Sequence, residues 1–203
     1  MDISMIDLQK EYNSIVAECC DLFARKMEDY GPTWLFYRPV SLCDQLWIKV
    51  RRIHTLEQTG VTAVGEGREP EFVGLINYAV IMLMKMKYPE VFPSADDVIA
   101  NTALADQVTC TVSLQYFRKI LSEIVELMRR KNQDYGNAWA EMHPFSITDQ
   151  VTIKIARIKT ILSHNGRVTV SENVDAQLMD VVNYSVFALI RLRHGESVGT
   201  ENA

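Results

Sequence analysis

The sequence predicts an all-α fold built from two tandem three-helix units, packed as one helical bundle about a pseudo-two-fold axis. Three observations carry that expectation. Apolar residues recur at helical spacing over long stretches, as in Tyr12, Ile15, Val16, Cys19, Leu22 and Phe23. No alternating strand pattern runs longer than Arg167–Val170. The chain also repeats itself. Residues 26–31 read Lys-Met-Glu-Asp-Tyr-Gly and residues 131–136 read Lys-Asn-Gln-Asp-Tyr-Gly, an offset of 105 residues. The same offset pairs Trp34 with Trp139, Pro39 with Pro144, Lys49 with Lys154 and Arg52 with Arg157. One further residue makes it 106, and Asn77-Tyr78 then falls on Asn183-Tyr184.

The elements follow in order. A first helix spans about residues 5–30 and stops at Gly31-Pro32. Ser41-x-x-Asp44 reads as a capping box opening a second helix through Gln58. Pro70 opens a third, apolar nearly all round through Met86 and therefore central. The second copy places helices at about 111–135, 146–164 and 171–194. Pro89, Pro93 and Ser94 mark a linker, with Ser94 placed to cap a short extra helix. The organisation is thus a first repeat over 1–90, a linker over 91–110 and a second repeat over 111–195, followed by a frayed tail.

Composition narrows the function. Hydrophobic residues make up 48% of the 203, which excludes a disordered chain. A net charge of −5 gives no electrostatic basis for binding duplex nucleic acid or an anionic membrane. The longest apolar stretch, Val80–Met84, is too short to cross a bilayer. Cys19, Cys20, Cys43 and Cys110 have no metal-ligand spacing and suit a reducing cytoplasm. The start lacks the basic and apolar regions of a signal peptide. A homodimer is left open.

The repeated letters are polar and aromatic, and a core needs only apolar residues of about the right size. Two copies of one polar site are therefore expected. With Ile15 as reference, Lys26 lies about 20° round the first helix, inside its apolar face, and Asp29 lies on the border at about −40°. Tyr30 falls on the same face. Lys131, Asp134 and Tyr135 repeat that placement from Ile120. On the second helices Lys49 and Lys154 point inward, flanked by Arg52 and Arg157. An inward lysine costs several kcal/mol unless paired or hydrated, so polar, partly open pockets are expected. Asp180 and Asn183, one turn apart with Tyr184 beside them, add acceptors on the last helix. Glu123-x-x-Glu126 puts two acids on one helix, and Glu18-x-x-Asp21 matches it.

Carboxylates on facing helices hold divalent metals in helical bundles, and Mg²⁺ prefers a few carboxylates with phosphate oxygens and water. Lysine and arginine beside them suit phosphates. Tyr30, Trp34, Tyr135 and Trp139 can stack on a base. Plainer readings stand beside these. Asp44 and Asp149 read as caps, Glu126 as a surface ion-pair partner, and the inward lysines as structural pairs with Asp29, Asp134 or Asp180.

Lys-x-x-Asp-Tyr-Gly-x-x-Trp, Asp-Gln-x-x-x-Lys-x-x-Arg-Ile and Asn-Tyr together resemble the family called nucleotide-modification-associated domain 1, over about residues 10–88 and 115–194. That resemblance implies a link to nucleotide metabolism. More distantly, the helical plan is similar to the MazG-like all-α nucleoside triphosphate pyrophosphohydrolases. They bind Mg²⁺ through Glu-x-x-Glu on one helix and Glu-x-x-Asp on another. The second element is split here: Glu71-Phe-Val-Gly74 lacks the Asp and Gln177-Leu-Met-Asp180 lacks the Glu. The likeness implies Glu123 and Asp180 as catalytic acids, Glu123, Glu126 and Asp180 as Mg²⁺ ligands, and repeat two as the working copy. The nucleotide would meet Lys131, Asp134, Tyr135, Trp139, Lys154, Arg157, Asn183 and Tyr184, with Lys26, Asp29, Tyr30, Lys49, Arg52 and Asn77 as counterparts. Three functions are therefore expected in order: an Mg²⁺-dependent nucleotide pyrophosphohydrolase, a nucleotide-binding or sensing module without catalysis, and a helical scaffold.

Overall fold

The computed structural model describes residues 6–60, 65–164 and 173–194, and these are helical with no strand. Repeat one contributes α1 (Leu8–Tyr30), α2 (Pro39–Thr59) and α3 (Glu69–Lys87). The linker holds α4 (Ala95–Ala100) and α5 (Ala103–Asp106). Repeat two contributes α6 (Cys110–Tyr135), the short α7 (Ala138–Glu141), α8 (Pro144–Ser163) and α9 (Val174–Arg193). A four-residue 3-10 turn, Thr33–Phe36, occupies in repeat one the place that α7 takes in repeat two. The Arg167–Val170 alternation, the start of the last helix at 171–172 and the tail beyond 194 lie outside the described residues.

Side chains at the ends set the helix boundaries. Asp7 accepts a hydrogen bond from the Lys10 amide at 3.1 Å and caps α1. Thr109 does the same for α6, through the Val112 amide at 3.2 Å, and Ser94 caps α4 through the Asp97 amide at 3.1 Å. Both long first helices end on a glycine with positive φ, 62° at Gly31 and 59° at Gly136, so a β-carbon there would be strained. The capping box at Ser41 is corrected: α2 already begins at Pro39, and α8 begins at the matched Pro144. Proline is favoured at the first helical position because its missing N–H has no partner there anyway. Asp44 consequently lies inside α2, where it faces Lys159 at 3.4 Å rather than capping.

The central layer is α2, α3, α8 and α9, with α3 packed on α9 and α2 on α8 across the repeats. α1 and α6 pair over it. Fully buried Leu75, Ile76, Met82 and Leu83 of α3 and Leu178, Val181, Val182 and Leu189 of α9 form one continuous core. Ionic contacts between the repeats recur at matched places. Glu18 of α1 takes both arms of Arg193 on α9, at 2.8 and 2.7 Å. Glu123 of α6 takes Lys87 on α3. Glu18 and Glu123 are repeat counterparts, as are Lys87 and Arg193. No helix among the described residues is long and apolar enough to cross a membrane.

Candidate functional site

Each repeat opens a pocket between the end of its first helix, the turn that carries its tryptophan, and its third helix. Repeat one's pocket, of about 620 Å³, is walled by Lys26, Tyr30, Trp34, Gly74, Asn77 and Tyr78, among others. Repeat two's pocket, of about 530 Å³, is walled by their counterparts Lys131, Tyr135, Trp139, Asp180, Asn183 and Tyr184. Both volumes fall within the range of small-molecule sites, roughly 300–1,000 Å³.

Local chemistry builds the walls. Trp34 and Trp139 are buried, whereas Tyr30 and Tyr135 stand 68% and 75% exposed at the mouths. Trp139 stacks on Phe187, with ring centroids 4.7 Å apart and 8° between planes. Trp34 instead meets the linker residue Phe92 edge-on at 5.3 Å. A cation on each third helix ties down the tryptophan-bearing turn. Lys85 donates to the Leu35 carbonyl, and to the Tyr37 carbonyl at 2.8 Å. Arg191, its counterpart, donates to the Met142 carbonyl. Burial lowers the Lys85 ammonium to about 8. Neither residue was among the expected site residues. The sequence signal was the retained positive charge at the 106-residue offset.

Inside the pockets the acid changes places. In repeat two Asp180 holds Lys131 at 3.0 Å and Lys154 at 2.7 Å. In repeat one the counterpart of Asp180 is Gly74, and the acid is Glu71, one turn earlier, which holds Lys49 at 3.2 Å and also Arg52. Lys49 lies across the glycine to reach it. A β-carbon on Gly74 would stand 2.4 Å from Lys49 Cε. Each copy therefore keeps one carboxylate of the split acidic element and uses it to neutralise the same inward lysine. The structural-pair reading holds for Asp180. Arg52 is drawn onto Glu71, whereas in repeat two the matched position of that acid is Gln177 and Arg157 is exposed.

The remaining expected residues separate. Asp29 and Asp134 are exposed, as their border positions allow, and line neither pocket. Lys26 and Lys131 line the pocket walls, and Lys26 has no ion-pair partner among the described residues. The metal set is corrected. Glu123 lies eight residues before Lys131 on α6, about 12 Å along the axis, and is engaged by Lys87 and by Tyr88 at 3.5 Å. Glu126 is a surface partner of Arg129 at 3.0 Å, with Arg129 holding its carboxyl below the usual range. Asp180 is committed to two lysines. Among the described residues no group of three or more His, Cys, Asp or Glu is arranged to hold an ion. The donor set implied for Mg²⁺ does not fit, because the cross-repeat packing of α6 on α3 turns Glu123 toward Lys87.

The two pockets also differ in their uncommitted polar atoms. Asn183 Oδ1 accepts from the buried Tyr12 hydroxyl of α1 at 2.7 Å. Asn77 donates instead to the Val73 carbonyl at 3.1 Å, and its Oδ1 is buried without a partner among the described residues. Trp34 Nε1 donates to Met27 Sδ at 3.1 Å. Trp139 Nε1 is buried without a partner among the described residues. Tyr12 was missed from sequence because it reads as an ordinary core position on α1.

Comparison with curated proteins and with solved structures gives no match. A family model does match, over residues 26–86 and 131–192, which is more than half of the chain and covers the tryptophan turns, the inward lysines and the asparagines of both pockets. The chain belongs to the family described as nucleotide modification associated domain 1, of which it carries two copies.

Proposed function

We propose that the chain binds a nucleotide, or a closely related phosphorylated small molecule, in the matched pockets, and that binding needs no metal. The observation that carries this reading is the repetition of one wall plan. A lysine stands at the pocket edge, a buried tryptophan and a tyrosine supply apolar surface, and an asparagine supplies an amide, in both copies. An aromatic wall suits the face of a base, and a lysine suits a phosphate as a point charge. The family's description points the same way. The metal-dependent hydrolase reading would require Glu123 and Asp180 on one ion, and these acids are held by cations in different places. The free cysteines, buried or half-buried, suit a reducing cytoplasm.

The test is a thermal-shift screen of nucleoside mono-, di- and triphosphates in EDTA and again in excess Mg²⁺. Ligand at 100 times its Kd should stabilise the fold by about 2.7 kcal/mol. Shifts in EDTA are expected. Shifts only with Mg²⁺ would restore the metal-dependent reading, and none under either condition would favour a scaffold.

A further inference from the structure

We infer that repeat one is the phosphate-selective pocket, and that the exchange of Gly74 for Asp180 on the third helices sets the difference. This rests on the nucleotide-pocket reading and divides the ligand's chemistry between the copies. Repeat one should favour a nucleoside monophosphate over its nucleoside about tenfold more strongly than repeat two does, the worth of one charge-assisted hydrogen bond.

In repeat one Gly74 leaves room for the Lys49 side chain, whose Nζ stands 2.7 Å from where a β-carbon would be. Lys49 thereby joins the pocket wall, with its side chain 22% exposed. In repeat two the same position carries Asp180, whose side chain lines the pocket. The matched Lys154 holds that carboxylate at 2.7 Å and is itself no part of the wall. At this place a ligand meets an ammonium in one copy and a carboxylate in the other. The lysine at the pocket edge changes with it. Asp180 holds Lys131 at 3.0 Å. Its counterpart Lys26 is exposed on the pocket wall, with no ion-pair partner among the described residues.

Repeat one's wall also contains acids, and arginines outside the wall face each of them. Arg52 pairs with Glu71 and stands 3.6 Å from Glu66, and Arg193 stands 3.6 Å from Glu69. Repeat one thus offers a phosphate two lysines, one of them uncommitted. Repeat two offers one, which a phosphate must share with Asp180 while that carboxylate repels it. Charges in a partly buried pocket are screened less than charges in open water. A carboxylate only accepts hydrogen bonds, so Asp180 suits the hydroxyl groups of a sugar. A nucleoside and its monophosphate both carry these, and repeat two gains little from the phosphate.

The probes are adenosine, guanosine, cytidine and uridine, each against its 5′-monophosphate, titrated into the full chain in EDTA. Trp34 and Trp139 each wall one pocket, and Trp47 lines neither. Their three indole ¹⁵N–¹H resonances, assigned through Trp→Phe variants, therefore report the two pockets and the intact fold. The ratio of nucleoside Kd to monophosphate Kd at Trp34 should exceed that at Trp139 about tenfold. Lys26→Met should lower the Trp34 ratio and leave the Trp139 ratio alone. Asp180→Gly with Gln177→Glu gives repeat two the repeat-one arrangement and should raise the Trp139 ratio to the Trp34 value. A damaged fold would not produce that gain, and an unshifted Trp47 resonance checks the fold. Asp180→Asn frees Lys131 without rebuilding the wall and should raise the Trp139 ratio in the same direction, so the test does not depend on the double variant folding. Equal ratios at the two indoles, a larger ratio at Trp139, or a Trp139 ratio unchanged by Asp180→Asn would overturn the inference while leaving nucleotide binding intact. If no nucleoside and no monophosphate moves Trp34 or Trp139, the binding reading falls and the inference with it.

Discussion

Asp180→Asn removes the carboxylate that Lys154 faces. The Lys154 side chain is 12% exposed and its Nζ lies 2.7 Å from Asp180, so loss of the charge leaves a nearly buried ammonium uncompensated. Removing one partner of a buried ion pair typically costs about 3–5 kcal/mol. Lys131, half-exposed, adds little, since exposed pairs contribute roughly 0–1 kcal/mol. The asparagine carbonyl still accepts one hydrogen bond, which places the expected loss near the lower end, about 3 kcal/mol. For a chain of this size that is a fall in Tm of about 6–12 °C. Calorimetry with urea unfolding measures it. The repeat-one arrangement supplies the rescue. Asp180→Gly with Gln177→Glu moves the acid one turn back and opens the place that Lys49 uses over Gly74. That double variant should recover most of the lost stability, whereas Asp180→Gly alone should not. A fall under about 2 °C for Asp180→Asn, or no rescue, would refute the claim that the acid's task is to neutralise the inward lysine. The same logic makes Glu71→Gln costly, because Glu71 is the acid that Lys49 and Arg52 share.

Three further outcomes follow from named contacts. Lys131→Met should cost less than about 1 kcal/mol of stability because its pair is half-exposed, yet weaken nucleotide binding about tenfold or more by removing a charged donor, read by calorimetric titration. Glu123→Gln should leave binding unchanged within about twofold and lower stability modestly through Lys87, measured on the same samples; a complete loss of binding would return Glu123 to the site. Lys85 should titrate near 8 by ¹³C-detected NMR of its ε-carbon. Its folded value lies below the ordinary 10.5, so the unfolded chain binds that proton more tightly. The charged lysine therefore opposes folding below about 8, and its contribution becomes more favourable as pH rises from 8 toward 10.5; Lys85→Met should flatten that part of the stability–pH curve.

The helices, their approximate ends and the duplication were determined by the sequence alone. Apolar periodicity, Gly31, Gly136 and the matched prolines are local signals that need no partner helix. The inward lysines and the asparagines were likewise legible, because polar residues held at a fixed offset on apolar faces call for pockets. Partnership was not legible, since a residue's helical angle says which way it points and not what stands opposite. Only the tertiary structure decided that Glu123 faces Lys87 across the repeat boundary, and that Glu71 and Asp180 serve the same lysine from different turns. It also decided that Glu71 holds Arg52, whereas no acid among the described residues holds Arg157. The same cause lies behind Tyr12. Its hydroxyl is invisible in a core pattern, and it acquires a role only because α1 packs against α9 and carries that oxygen to Asn183.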